Sequence, residues 1–436
     1  MKIYSLITLT GVTSAINVQL LDRSPVPGVL SVPFSLSSEQ LRKRDAFVDV
    51  DTGASYFDYI VNITVGSPPQ PITLSLDTGS SDTILVTQES AFCIKNAGFC
   101  PSVGYYNANK SSSYKYISSN FSSDFGFADQ GQGSGAHGDV ATDTFVMAGA
   151  TLKNQQFDIA YGNSTITGSI LGLSYGAGES LQGSQPQYNN FPLALAKQGT
   201  TNLAAFSLWK DAADSHNGQI LFGGIDTSKF TGSLTTLQTQ IRDGYPNITA
   251  FDVLLNGVAL SGNSSFPQGS TGSVPHVLDC GTSYSILPND WLQPIYDQFN
   301  VTYFTANDTA YVDCDLGTQS YTVDYTFQNL TIHVPMKVLV ELRSVNPNRC
   351  SFGLVPAGTR RALLGDNFLS SAYTVFDLTN NQISLAPRNF SSTAAKVIPV
   401  AAGGVKATKT SSASALSFSG YTIVVSLFSV VFVGFF

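Results

Sequence analysis

Runs of β-branched and aromatic residues broken by turn residues set the pattern of this chain. Gly218-Gln-Ile-Leu-Phe-Gly-Gly224 and Tyr321-Thr-Val-Asp-Tyr-Thr-Phe327 read as strands bounded by turns. Helical spacing is sparse, and it predicts short helices only at Leu193-Ala-Leu-Ala-Lys197 and Asp290-Trp-Leu-Gln-Pro-Ile-Tyr-Asp-Gln298. The class this implies is mostly β. Two further apolar runs share an ending. Pro71-Ile-Thr-Leu-Ser-Leu leads into Asp77-Thr78-Gly79-Ser80, and Val274-Pro-His-Val-Leu leads into Asp279-Cys280-Gly281-Thr282, 202 residues on. About 90 residues after each Asp come two apolar residues and Gly, as Ile170-Leu171-Gly172 and Leu363-Leu364-Gly365. A pattern repeated at this distance predicts two related lobes, each delivering one carboxylate to a shared site.

Two carboxylates within hydrogen-bond reach cannot both ionise cheaply, so they hold one proton between them and titrate as a unit. The ionised member can take a proton from a trapped water, and the protonated one can polarise a peptide carbonyl. Gly79 and Gly281 suit a tight turn that a Cβ would obstruct. Ser80 and Thr282 can donate hydrogen bonds that hold the carboxylates coplanar.

At these residues the chain resembles the pepsin-like aspartic proteases, most closely their fungal secreted and GPI-anchored cell-surface members. The resemblance runs from about Phe57 to Ala386. Tyr56-Phe-Asp-Tyr-Ile-Val-Asn-Ile-Thr-Val-Gly-Ser-Pro-Pro-Gln70 is similar to the family's first strand. Leu363-Leu-Gly-Asp-Asn-Phe-Leu-Ser-Ser-Ala-Tyr-Thr-Val-Phe-Asp377 is similar to its closing signature. The resemblance implies a bilobal acid protease fold with the cleft between two β-rich lobes. Asp77 and Asp279 are the implied catalytic pair, with Thr78, Gly79, Ser80, Cys280, Gly281 and Thr282 around them. Asp51-Thr52-Gly53 repeats the short motif, but the run before it is broken by Asp49 and it lies near a processing site, so it reads as coincidence.

The bulk numbers fit. The 436 residues suffice for one large or two medium domains, and 43% hydrophobic content supports a substantial core. Only 12% of residues are charged and the net charge is −8. Such an acidic, lysine-poor surface does not suit nucleic acid. It suits work at mildly acidic pH, and equally a soluble acidic extracellular protein.

Residues 1–15 read as a secretory signal, with Lys2, an apolar stretch over 3–11 and a small residue at Ala15. Residues 16–44 read as a propeptide ending in Leu41-Arg42-Lys43-Arg44. The lobes are then expected at 45–235 and 236–390. Arg360-Arg361 is also dibasic, and its place just before Leu363 predicts that it is folded away. Ten Asn-X-Ser/Thr sequons occur, at Asn62, Asn109, Asn120, Asn163, Asn247, Asn263, Asn300, Asn307, Asn329 and Asn389, which fits a secreted glycoprotein. Residues 391–415 are small and polar, and 416–436 form a largely apolar tail with nothing basic after it. Small residues, a spacer and a terminal apolar tail predict GPI attachment between Gly403 and Ser414. The alternative is a membrane span reached by counting back to Leu416. The expected location is the extracellular cell surface, at plasma membrane or wall.

An oxidising compartment predicts disulfides among the five Cys. Sequence leaves the connectivity open; the family resemblance implies Cys93–Cys100 and Cys314–Cys350. The second closes a long loop, a contribution of about 3–4 kcal/mol by the chain-entropy estimate. Cys280 is left over, beside a candidate catalytic carboxylate.

Three positions depart from the family. Its members close the cleft with a mobile hairpin, the flap, whose tip carries a Tyr. The matching stretch here is Gln130-Gly131-Gln132-Gly133-Ser134, with Gln130 at the Tyr position, or Asp129 if the alignment takes a one-residue gap. The family's Trp seven residues after the first catalytic Asp is Ile84. Both partners of one hydrogen bond are therefore replaced, which predicts a looser flap and lower turnover. Cys280 stands where Thr or Ser is usual, so it should fill the space and brace the loops less well. Packing is the reading for this thiol rather than a redox role, because adjacent carboxylates disfavour a thiolate.

Other protease chemistries lack their residues. The four His (His137, His216, His276, His333) form no His-Glu-x-x-His zinc pattern, and no Gly-x-Ser-x-Gly elbow sits between a strand and a helix. His276 reads as structural and His137 as solvent-facing. No metal or organic cofactor is expected. The reading is an aspartic endopeptidase, a monomer that takes an extended peptide. The rival is an impaired or silent binding or wall glycoprotein on the same scaffold.

Overall fold

The computed structural model describes residues 26–34, 59–98, 100–125, 135–162, 164–181, 187–213, 215, 217–306, 308–346 and 348–405. The signal peptide, the dibasic end of the propeptide, Asp51-Thr52-Gly53, the flap residues Gln130, Gly131, Gly133 and Ser134, His216, and the apolar tail lie outside them.

Strands account for most of the fold. In the first lobe β2 (Ile60–Val65), β3 (Gln70–Asp77), β4 (Thr83–Val86), β5 (Lys115–Asp124), β6 (Gly135–Met147), β7 (Ala150–Ala160) and β8 (Ser169–Gly172) form one sheet. Its order is β2-β3-β8-β4-β7-β6-β5. Alternation in β3 buries Ile72, Leu74 and Leu76 and carries the chain to Asp77 at its end. The β6–β7 turn has Ala148 at φ 47° and Gly149 at φ 85°, the two positive dihedrals a tight hairpin demands.

β8 returns late in the sequence and inserts between β3 and β4, parallel to the former and antiparallel to the latter. The second lobe repeats this. Leu363–Leu364 lies parallel to Ser270–Leu278 and antiparallel to Ser285–Leu287. Each apolar pair before Gly172 or Gly365 is thus the late strand that locks its Asp-bearing strand. The full second sheet runs 330–335, 322–327, 252–261, 270–278, 363–364, 285–287, 354–356.

A six-stranded sheet joins the lobes, in the order β1 (Leu30–Phe34), β10 (Gly218–Phe222), β9 (Ala205–Lys210), then Ala372–Asp377, Gln382–Pro387 and Thr235–Gln238. It therefore takes strands from both sides of residue 235. Phe206 and Phe376 stack at its centre with Phe251 packed against both, and one continuous core runs from Leu74 and Leu76 to Val277 and Leu278. β1 falls inside the segment read as propeptide. Its Val32 and Phe34 are buried, and the Phe34 ring centroid lies 4.7 Å from that of Tyr59.

The strand at 218–222 and the one at 322–327 match the sequence reading, as do both helices, at Phe191–Lys197 and Asn289–Phe299. The longer helix buries Trp291, Leu292, Ile295 and Tyr296 on one face and ends at Asn300 in the left-handed region. Cys93–Cys100 and Cys314–Cys350 are bonded, with Cα atoms 5.1 and 5.0 Å apart. Arg360 pairs with Asp308 and Arg361 with Asp252, so both guanidiniums of that dibasic pair are engaged.

Candidate active site

The ends of β3 and of strand 270–278 meet at the junction of the lobes. Each Asp is held the same way. Asp77 Oδ1 accepts from the N–H groups of Gly79 (2.8 Å) and Ser80 (3.2 Å), and its Oδ2 accepts from the Ser80 hydroxyl (2.5 Å). Asp279 Oδ1 accepts from Gly281 N–H (2.8 Å), and its Oδ2 from the Thr282 hydroxyl (2.7 Å). Ser80 and Thr282 thus each donate a hydroxyl hydrogen bond to the carboxylate of their own motif.

The glycines are needed for a different reason from the turn expected of them. Neither Gly79 nor Gly281 has a positive φ. A Cβ on Gly79 would lie 2.6 Å from Asp279 Cγ, and one on Gly281 would lie 2.6 Å from Asp77 Oδ1. Each glycine is the floor on which the opposite carboxylate rests. Gly172 and Gly365 have a similar duty, because a Cβ there would strike the backbone of Ser81–Asp82 or the Tyr284 carbonyl. The late strands can then approach closely enough for Leu173 N–H to reach the Asp77 carbonyl (2.8 Å) and Asp279 N–H to reach the Leu364 carbonyl (3.0 Å).

A brace crosses between the loops. The Thr78 hydroxyl donates to the Leu278 carbonyl (2.9 Å) and accepts from Cys280 N–H (2.9 Å). The Cys280 thiol donates to the Leu76 carbonyl at 3.4 Å. Cys280 is buried and free, and burial first, then the two carboxylates, push its thiol pKa well up. It fills the position of a hydroxyl residue and keeps the brace through a weaker donor.

The two Asp differ in environment. Asp279 is buried and Asp77 partly exposed. Burial, then the charge of Asp77, raises the Asp279 pKa to about 7, against the opposing pull of Thr282 and Gly281. Two acids placed against each other in this way disfavour simultaneous ionisation.

These motifs, their spacing and the two-lobed sheet topology decide the family. The chain belongs to the eukaryotic aspartyl proteases. That family's model matches residues 58–388. The chain is 39% identical to "Probable aspartic-type endopeptidase opsB" of Aspergillus oryzae over 401 residues, covering 88% of this chain and 81% of the relative. It is 30% identical to barrierpepsin of Saccharomyces cerevisiae, over 76% of this chain and 60% of that one. With yapsin-3 of the same yeast the identity is 30%, covering 76% and 66%. The chain is accordingly an aspartic-type endopeptidase by family.

Other residues singled out in the sequence fall as follows. Ile84 is fully buried among Val86, Phe92, Val140 and Ala160, so an apolar cluster occupies the family's Trp position. His276 is buried and held neutral, its pKa lowered to about 4 by burial, with Nδ1–H donating to the Val274 carbonyl (2.9 Å). It is a structural residue. His137 is half-buried on β6, with Nδ1 3.1 Å from the Ser122 hydroxyl. Two features escaped sequence reasoning. One is the buried Lys210–Asp366 ion pair (2.5 Å), and Asp366 N–H in turn donates to the Thr282 carbonyl (2.7 Å). The other is a group of carboxyls behind the first loop; its signal was Asp158 set between Phe157 and Ile159 in a strand.

Proposed function

We propose that this protein cleaves peptide bonds with a water held between Asp77 and Asp279. Asp279 carries the shared proton and Asp77 is the base. Asp77 takes a proton from the water as its oxygen attacks the scissile carbonyl, while Asp279 donates its proton to the carbonyl oxygen. The resulting diol collapses as a proton passes to the leaving amine, and the dyad returns to its singly protonated state. Ser80 and Thr282 hold the carboxylates in one plane, and the flap around Gln130–Ser134 covers an extended peptide in the cleft.

The mutual seating of each carboxylate on the other loop's glycine carries this reading. The raised pKa of Asp279 supports an acidic working range, since the singly protonated state is lost as pH rises through about 7. Location follows from the chain's ends: export through the signal at 1–15, release of 16–44, and attachment by GPI within the 391–415 region. Of the eight sequon asparagines among the described residues, seven are exposed, which supports glycosylation. Asn389 is the exception, half-buried with its amide donating to the Ser228 carbonyl (3.1 Å).

The test is cleavage of an unbiased peptide mixture by the full chain between pH 3 and 7, beside Asp77→Asn and Asp279→Asn. Loss of cleavage in both variants is expected. Release of the cell-bound protein by a phosphatidylinositol-specific phospholipase tests the anchor.

A further inference from the structure

Behind the first catalytic loop lies a cluster that the proposed hydrolysis does not use. Asp82, five residues after Asp77, is buried. Its Oδ2 accepts from Ser180 N–H (2.8 Å) and its Oδ1 from the Tyr188 hydroxyl (2.7 Å). Tyr188 N–H donates to Glu179 Oε2 (3.1 Å). Asp158 on β7 completes the group. It pairs with Ile84 on β4 and Val140 on β6, and paired residues share a face of the sheet, so two apolar side chains flank it. Asp158 Oδ2 and Glu179 Oε1 are buried without a hydrogen-bond partner.

The titratable groups facing Asp158 are Asp82 from the loop after β3 and, from the segment after β8, Glu179 and Tyr188. Among the described residues no lysine, arginine or histidine acts on any of the three carboxyls. Burial opposes charging of all three, with carboxylate repulsion added for Asp158 and Glu179, and all three pKa values are displaced upward, that of Glu179 to about 8.

The cluster is hydrogen-bonded to two strands of the first lobe near the proposed site. Asp82 continues directly into β4, and its carbonyl accepts from Gly172 N–H (3.0 Å) at the end of β8. The Ser180 hydroxyl donates to the buried Ser123 hydroxyl (3.0 Å) on β5, the strand that leads to the flap.

We propose that Asp82, Asp158 and Glu179 are a proton-held positioning cluster: neutral, they keep the first catalytic loop and the flap strand in register, and charged, they release both, closing the neutral end of the enzyme's working range. The dyad reading is needed only for the activity arm of the test. The sign follows from linkage. A carboxyl whose folded pKa is raised contributes stability that is complete below its unfolded pKa and is lost as pH rises through the folded one. For Glu179 that window runs from 4.5 to about 8.

The experiment is the Tm of the full chain from pH 4 to 9, for the parent, Asp158→Asn and Glu179→Gln, with peptide cleavage at pH 4 measured after incubation at pH 8. Unfolding needs no activity, so failure of the cluster and failure of the dyad are separable. The parent Tm is expected to fall between pH 5 and 8. In Asp158→Asn that fall is expected to be smaller by about a third, because one of three titrating groups is gone. Recovered activity after incubation follows the same order, and Asp158→Glu keeps the parent's sensitivity. If Asp158→Asn does not fold, Glu179→Gln decides alone. A Tm that falls as far as the parent's in the neutralised variants overturns the proposal, as does a smaller fall with unchanged loss of recovered activity.

Discussion

Thr78 and Cys280 hold each other's loops: the Cys280 N–H donates to the Thr78 hydroxyl at 2.9 Å, and that hydroxyl donates onward to the Leu278 carbonyl at 2.9 Å. The thiol, at 3.4 Å from the Leu76 carbonyl, supplies the matching link in the other direction. The brace is therefore unequal, with one strong and one weak side.

That inequality predicts unequal mutants. Thr78→Val removes a donor and an acceptor at a fully buried position, and should cost about 2 kcal/mol or more and lower kcat at least tenfold. Cys280→Thr restores a hydroxyl to the weak side and should leave stability within about 1 kcal/mol of the parent. Urea unfolding and peptide kinetics measure both. A Thr78→Val protein as stable and active as the parent would remove the brace from the account.

Gly281→Ala addresses the seating of the dyad. The added Cβ would lie 2.6 Å from Asp77 Oδ1, so the carboxylates must move apart. A shift of this kind can cost about 100-fold in rate with the fold intact. The expected result is a parent-like Tm with kcat/KM down by about that factor.

Lys210→Met tests the support beneath Asp279. Lys210 is buried, and its Nζ lies 2.5 Å from Asp366 Oδ2. Removing one partner of a buried pair typically costs about 3–5 kcal/mol. Lys210→Met/Asp366→Asn should recover part of that loss in thermal melts, and a double variant as unstable as the sum of the singles would show that the pair is not coupled.

Ile84→Trp tests whether the family's flap partner can be restored. Ile84 is fully buried and enclosed, so the larger ring should cost about 1–3 kcal/mol by overpacking. Gln130→Tyr alone should leave turnover unchanged, since its partner is missing; a several-fold gain in kcat would show the flap is steadied by another group.

The proposed catalytic pair could be located in the sequence because each half of it is local. Asp77 with Ser80, and Asp279 with Thr282, are fixed within three residues of chain, and the late Gly172 and Gly365 strands mark where each Asp strand is locked. What the sequence hides is assembled from distant segments. Asp82, Asp158 and Glu179 are separate in the chain, and apart from the apolar neighbours of Asp158 nothing marks them until β4, β7 and the segment after β8 pack together. The role of Gly79 was misread for the same reason, since its neighbour is Asp279, from the other lobe. The pairing of β1 with Gly218–Phe222 likewise depends on a sheet built from both lobes and could not be read from Leu30–Phe34 alone.

The most direct measurement of the central claim is the rate of peptide cleavage by the full chain carrying Asp279→Asn, set beside the parent across pH 3 to 7. A shared-proton dyad predicts a loss of at least about 100-fold at every pH, with the parent's own rate falling as pH approaches 7. Cleavage by Asp279→Asn at the parent's rate would contradict it.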